Sequence, residues 1–235
     1  MRKDEFELDN RRCTVYSGDE PEFFLLQPSD EHEADFMDHE AEMISESAGS
    51  EFILASFQVG EWDRDLSPWE APPVFGDVPF GGKAEDTLEY ITEVFMPEIR
   101  SKYGLPDDLP VMIGGYSLAA FFSLWSSYQT DAFSGVAASS PSVWFPGWMD
   151  FAAGHGPKCG CIYLSLGKKE EKARNPVMAA VGDCIRKQYE ILSESGVTCT
   201  LEWNDGNHFR EPDVRTAKGF IWCMKSLKKQ PGRQE

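Results

Sequence analysis

VMIGGYSLAA, residues 111–120, changes its period in the middle. Residues 111–114 form an apolar run short enough for a buried strand. Residues 118–128 are apolar on nearly every side, as a buried helix is. Between them stands Gly115-Tyr116-Ser117-Leu118-Ala119, a G-x-S-x-[GA] string in the strand-to-helix setting of a nucleophile elbow. That setting explains the small residues. A serine in a tight, strained turn holds its hydroxyl above the sheet edge. The residues two before and two after it then approach each other and the neighbouring strand. Gly115 leaves that room; Ala119, where glycine is commoner, adds one methyl. The string alone arises by chance on the order of a few tenths of a time in a chain of this length. The placement between strand and helix therefore carries the reading.

Outward from the elbow the periods alternate. Short apolar runs at 23–27, 52–59, 133–138, 161–166 and 198–203 read as strands. Helical spacing runs through 30–47 (Phe36, Met37, Met43, Ile44) and 84–102 (Leu88, Ile91, Phe95, Ile99). It recurs in a segment opened by Asn175-Pro176 (Val177, Val181, Ile185, Tyr189, Leu192) and in 213–228 (Val214, Ala217, Ile221, Met224). Pro176 suits a first helical turn, whereas Pro97 is expected to kink or end its helix early. Strand alternating with helix predicts an α/β fold: a mostly parallel central sheet with helices on both faces, a three-layer αβα sandwich. Residues 5–8 and 12–16 alternate weakly and are expected as antiparallel strands on one edge. No boundary divides the chain, so 1–235 is expected to be one domain. Segments 60–83 and 139–160 are rich in aromatic residues and have no period. Loops of that length inside a compact domain are usually functional.

Composition narrows the partners. Of 235 residues, 40 are Asp or Glu and 22 are Lys or Arg, for a net charge of -18. Nucleic acid and anionic membranes attract basic surfaces, so neither is expected as a partner. The 41% apolar and 13% aromatic content is enough for a sizeable core. The first residues, MRKDEFELDNRRC, lack the apolar run of a signal peptide. The longest apolar stretches are far short of a membrane span. A soluble, cytoplasmic protein is expected, with its six cysteines as free thiols. Cys159-Gly-Cys161 is too tightly spaced for a zinc knuckle.

A serine hydroxyl needs a positioned base. His208, in Asp205-Gly206-Asn207-His208-Phe209, follows the last expected strand. Residues just past the C-terminal ends of parallel strands converge on one crevice, and Ser117 and His208 both meet that condition. An acid should stand between them in the chain and orient the imidazole. Glu170, three residues after Gly167 at the end of strand 161–166, is best placed. Glu171 is one residue away, and Asp183 and Asp205 are weaker candidates. An oxyanion hole needs two backbone N–H groups. Leu118 would give one. The turn after the first parallel strand would give the other, from Ser29 or Asp30, because Pro28 has no N–H. Trp62, Trp69, Phe80, Trp144, Phe145 and Trp148 lie in the two irregular segments and are candidates to wall a pocket for an apolar or aromatic group. Arg64 and Arg210 are basic residues near the same edge, where either would offset the acidic field for an anionic substrate. His32, Asp35 and His39 share a helix face, but the spacing is not H-E-x-x-H, and no metal is expected. No glycine-rich dinucleotide string follows a strand.

Together the elbow GGYSLAA, the run SGVAASSPSVWF, the Gly167–Glu170 turn and the late GNHF resemble a bacterial esterase family of α/β-hydrolases. That family includes enterochelin-esterase-like and esterase D-like enzymes and mycolyltransferase-like antigens. The likeness runs from about Phe23 to the last helix. It implies an α/β-hydrolase fold, no cofactor, Ser117 as nucleophile, His208 as base and Glu170 as acid. The expected activity is that of a serine carboxylesterase acting on a small ester through an acyl-enzyme. The alternatives are acyl transfer at the same site, or a silent hydrolase fold used for binding.

Overall fold

Side chains along the strands point alternately to two sides, and both sides are apolar. The computed structural model describes residues 1–30, 36–49, 51–74 and 76–229. Its strands are β1 (Arg2–Leu8), β2 (Arg11–Ser17), β3 (Phe23–Ser29), β4 (Phe52–Gln58), β5 (Glu70–Ala71), β6 (Phe80–Gly81), β7 (Val111–Tyr116), β8 (Gly135–Ser139), β9 (Cys161–Gly167) and β10 (Thr198–Asn204). Its helices are α1 (Met37–Ser47), α2 (Trp62–Asp65), α3 (Ala84–Tyr90), α4 (Met96–Tyr103), α5 (Ser117–Gln129), α6 (Trp148–Gly154), α7 (Pro176–Ala179), α8 (Val181–Ser195) and α9 (Pro212–Lys228).

Eight strands form one sheet in the order β1-β2-β4-β3-β7-β8-β9-β10. The pairs β1–β2 and β2–β4 are antiparallel, and every other pair is parallel. Leu25, Met112, Ala137 and Tyr163 face α1 and α9. Leu26, Ile113, Val136 and Ile162 face the other layer, where α3, α4, α5 and α8 lie. This is the expected fold class, including the antiparallel edge. Asp9 and Asn10 turn the edge hairpin, both at positive φ, as a two-residue hairpin loop requires.

From β3 the chain passes to β4 on one side and later returns to β7 on the other. Such a reversal opens a crevice at the carboxyl ends of the strands. Pro28 suits the opening. It has no N–H to give, and the β3–β7 ladder stops at Leu26–Ile113. Above that point α5 begins. Phe121 and Phe122 are fully buried beneath it. Each contributes about 1.5–3 kcal/mol by burial, and together they anchor the turn that carries Ser117.

Several expected elements differ in detail. Pro97 does not end its helix. A π turn over Ile91–Phe95 shifts the hydrogen-bond register, Pro97 falls in the first turn of α4, and helix continues to Tyr103. The segment after Asn175 is two helices, and Val177 and Tyr189 are exposed. Of the face expected on α9, Ala217 and Met224 are buried and Val214 and Ile221 half-buried, and Phe220, Cys223 and Leu227 also point inward. Segments 60–83 and 139–160 are not wholly irregular, holding α2, β5, β6 and α6. No helix among the described residues is long and apolar enough to cross a membrane.

Candidate active site

The carboxyl ends of four adjacent parallel strands deliver the polar groups of the site: β7 leads to Ser117, β8 to Ser140, β9 to Glu170 and β10 to His208. Ser117 has φ +56°, a left-handed conformation that costs an ordinary side chain on the order of 1–3 kcal/mol. Gly115 makes the turn possible. A Cβ there would stand 2.9 Å from the Cβ of Ala119. Ser117 opens α5, so the first backbone N–H groups of that helix have no intrahelical acceptor. The next residue, Leu118, lies on the wall of the cavity that Ser117 faces.

His208 Nε2 lies 3.0 Å from Ser117 Oγ, and its Nδ1 lies 2.7 Å from Glu170 Oε2. The structure thus brings together the three residues expected to form the triad, 91 and 38 residues apart in the chain. Glu170 is buried. Its Oε1 accepts from Ser140 Oγ at 2.7 Å, Gly167 N–H at 2.7 Å and Arg215 Nη1 at 3.0 Å. Gly167 must lack a side chain, because a Cβ would meet Glu170 Oε1 at 2.9 Å. Burial pushes the Glu170 carboxyl up, but hydrogen bonds from His208, Ser140 and Gly167 outweigh it and hold the group below its ordinary range. A charged Glu170 fixes the imidazole with Nδ1 protonated and Nε2 free toward Ser117.

Arg215 was not found from the sequence. It is 1% exposed. Besides Glu170, its guanidinium reaches Tyr116 Oη (2.9 Å), Ser140 Oγ (3.2 Å) and the carbonyls of Asp205 (3.1 Å) and Asn207 (3.0 Å). Tyr116 Oη in turn donates to the His208 carbonyl at 2.7 Å. One cation therefore ties the elbow, the acid turn and the histidine loop. The only sequence signal is that Arg215 stands in the first turn of α9, where the helix dipole disfavours a cation.

The cavity at Ser117 has a volume of about 890 Å³. Trp62 and Trp144 line it, with Phe80 and the 85% exposed Phe209. Trp69 and Phe145 do not. Trp69 Nε1 donates to the Pro146 carbonyl, and its ring meets Phe145, which packs between Phe80 and Phe121. These two rings pack the loops onto the body, one layer behind the wall. Trp148 is likewise buried and bonded to Gln188. Ser29 also falls outside the cavity wall. Its hydroxyl accepts from Ser56 and faces the Phe57 carbonyl, and its own carbonyl accepts from Val59 N–H, so it belongs to the β3–β4 ladder. Glu171 binds Arg186 at 2.8 Å instead of His208. Arg64 pairs with Glu61 and Asp65, and Arg210 with Glu211; neither lines the cavity. His39 bonds to Asp213 at 2.6 Å, while His32 and Asp35 lie outside the described residues.

No protein-family model matches the chain, and no curated protein matches it. Solved structures do. An IroE-like serine hydrolase from Shewanella oneidensis superimposes with a TM-score of 0.76 at 16% identity, over 95% of this chain and 80% of that one. The siderophore hydrolase EstA from Aspergillus nidulans gives 0.71 at 16%, over 97% and 95%. A carboxylesterase from Bacillus cereus gives 0.62 at 16%, over 93% and 95%. These neighbours are esterases and serine hydrolases of the kind the motifs resemble. At such identities the likeness carries the fold, and the chain has the α/β-hydrolase fold.

Proposed function

We propose that residues 1–235 form one hydrolase domain that cleaves a carboxylic ester with Ser117 as nucleophile, His208 as general base and acid, and Glu170 as the orienting carboxylate. The hydrogen-bonded line Glu170–His208–Ser117, at 2.7 and 3.0 Å, carries this reading. Its pH-7 requirement is a charged acid, and the Glu170 carboxyl is held low. The esterase folds among the structural neighbours support it.

In this reading Ser117 Oγ attacks the ester carbonyl as Nε2 of His208 takes its proton. The oxyanion is held by the Leu118 N–H and by a second donor from the turn after β3. Ser29 ends β3 and Asp30 follows it, and the donor is the N–H of one of these two. The imidazolium then protonates the leaving alcohol, an acyl-enzyme remains, and water activated by His208 releases the acid. A cavity of about 890 Å³ is at the upper end of ordinary ligand sites. It leaves room for a bulky acyl or alcohol group on a small-molecule ester.

Activity-based labelling with a fluorophosphonate tests the proposal. Wild type should label and hydrolyse p-nitrophenyl esters, and Ser117→Ala should do neither. A wild type that neither labels nor cleaves any chain length is a silent binding fold. An ester product formed in the presence of an added alcohol would identify acyl transfer instead of hydrolysis.

A further inference from the structure

Charge on the cavity wall is distributed against the trend of the chain. The molecule carries -18 overall, yet three cations line the cavity: Lys169, Lys172 and Arg174, all from the short turn that also delivers Glu170. All three are exposed, and among the described residues none is in an ion pair. Their neighbours differ. Lys168 is bound to Asp205 at 2.8 Å, and Arg186 to Glu171 and Asp183. Two acids line the same cavity. Glu170 is already engaged by His208 and Arg215. Asp63 stands beside Trp62, and burial pushes its carboxyl up. The cavity is thus aromatic along Trp62, Phe80 and Trp144, and cationic along 169–174.

We infer that the substrate is an anionic ester, whose apolar part lies on Trp62, Phe80 and Trp144 while a carboxylate or similar anion at its far end is held by Lys169, Lys172 and Arg174. This inference rests on the esterase reading and names its substrate class. Arginine and lysine donors match such an oxygen anion, and Arg174 offers a planar fork for two of its oxygens. The net field of the chain repels an anion at long range. Selectivity for one must therefore come from charges at the cavity itself, since exposed charges are screened beyond about 8–10 Å, and these three line it.

Matched ester pairs test it. Mono-p-nitrophenyl adipate and its methyl ester differ only by a charge on the acyl side. 4-Carboxyphenyl hexanoate and its methyl ester differ only by a charge on the alcohol side. Each kcat/KM is divided by the hydroxide-catalysed rate of the same ester, which removes leaving-group differences. In at least one pair the anionic member should be preferred tenfold or more by wild type. The combined Lys169→Gln, Lys172→Gln and Arg174→Gln variant should bring that ratio to about one, with an unchanged melting temperature. Lys168→Gln, outside the cavity, should leave the ratio as in wild type. Equal or better use of the neutral member in both pairs overturns the inference, and so does a preference that survives the triple substitution. Absence of all ester cleavage together with absence of fluorophosphonate labelling at Ser117 is a different result, and it overturns the esterase reading itself.

Discussion

Two glutamates are buried among the described residues, Glu170 and Glu40, and they are held in opposite states. Glu170 accepts from four donors, one of them the Arg215 guanidinium, and its carboxyl lies below the ordinary range. Glu40, on α1, meets one donor among the described residues, Gln27 Nε2, at 3.3 Å. Burial pushes the Glu40 carboxyl up to about 8, with a smaller push from Asp213. Burial penalises both charges alike; the number and strength of donors decide which one survives it. Near neutral pH, Glu170 is a fixed negative charge beside the imidazole, and Glu40 is a neutral acid beneath α1.

The sharpest way to break this contrast is Glu170→Gln. The amide keeps the shape but removes the charge that stabilises the imidazolium. Turnover of a p-nitrophenyl ester should fall about 10³–10⁴-fold, equivalent to roughly 4–5 kcal/mol. A loss smaller than tenfold removes Glu170 from the triad. Arg215→Lys comes next. It keeps a cation but loses the fork that spans Glu170, Tyr116 and the Asp205 and Asn207 carbonyls. A fall of about 100-fold in kcat with little change in KM is expected for a positioning residue. Arg215→Met adds a pH readout. A carboxyl held low contributes stability above its unfolded value and loses it as pH falls through the folded value. Without the guanidinium the folded value rises, so the acid limb of the kcat profile and the onset of acid unfolding both move to higher pH. An acid limb that stays in place shows that Arg215 acts on the fold alone.

The same contrast separates what the sequence disclosed from what it hid. The meeting of Ser117, His208 and Glu170 is legible because each follows a strand, and strand ends in a parallel sheet converge. The elbow added a steric signature in Gly115 and Ala119. Arg215 was hidden because its partners are backbone carbonyls and a tyrosine 99 residues away, and periodicity describes one element at a time. Depth was hidden for the same reason. Trp69 and Phe145 were placed at the correct edge, but whether an aromatic ring faces a cavity or the layer behind it depends on neighbours from other segments. Ser29 lies in the strand instead of the turn after it, because β3 runs two residues further than its apolar residues suggest. The helix around Pro97 was underread because a π turn accommodates the ring without ending the helix, and nothing local announces it.

Glu40→Gln tests the other half of the comparison. Between the ordinary carboxylate range and about 8, the folded chain keeps a proton that the unfolded chain has released. Stability therefore falls as pH rises through that window and is level above it. Among the described residues, Glu40 Oε1 and Gln27 Oε1 are both buried without a partner, so a proton on Glu40 adds a donor beside two unfilled acceptors. A glutamine supplies a donor at every pH. The variant should match wild type near pH 5 and exceed it by on the order of 2 kcal/mol at pH 8 in urea unfolding, with turnover unchanged. Parallel pH profiles for the two proteins would show that Glu40 is charged after all.

Glu171→Gln is expected to do least, and for that reason it sharpens the assignment of the acid. Glu171 is adjacent to Glu170 and carries the same carboxylate, so sequence spacing alone does not separate them. The structure turns them apart. Glu170 is 5% exposed at its side chain and faces His208; Glu171 is 35% exposed and binds Arg186, itself 47% exposed. An ion pair between groups so open to solvent is worth about 0–1 kcal/mol. Arg186 also keeps Asp183 as a second partner at 3.2 Å and the Trp203 ring beneath it, so it is not stranded when Glu171 is neutralised. Turnover of Glu171→Gln should stay within twofold of wild type, and its unfolding free energy should change by less than about 1 kcal/mol. If instead it lost orders of magnitude while Glu170→Gln did not, the imidazole would be oriented by Glu171 in the working enzyme, and the turn 167–172 would have to rotate to bring it there.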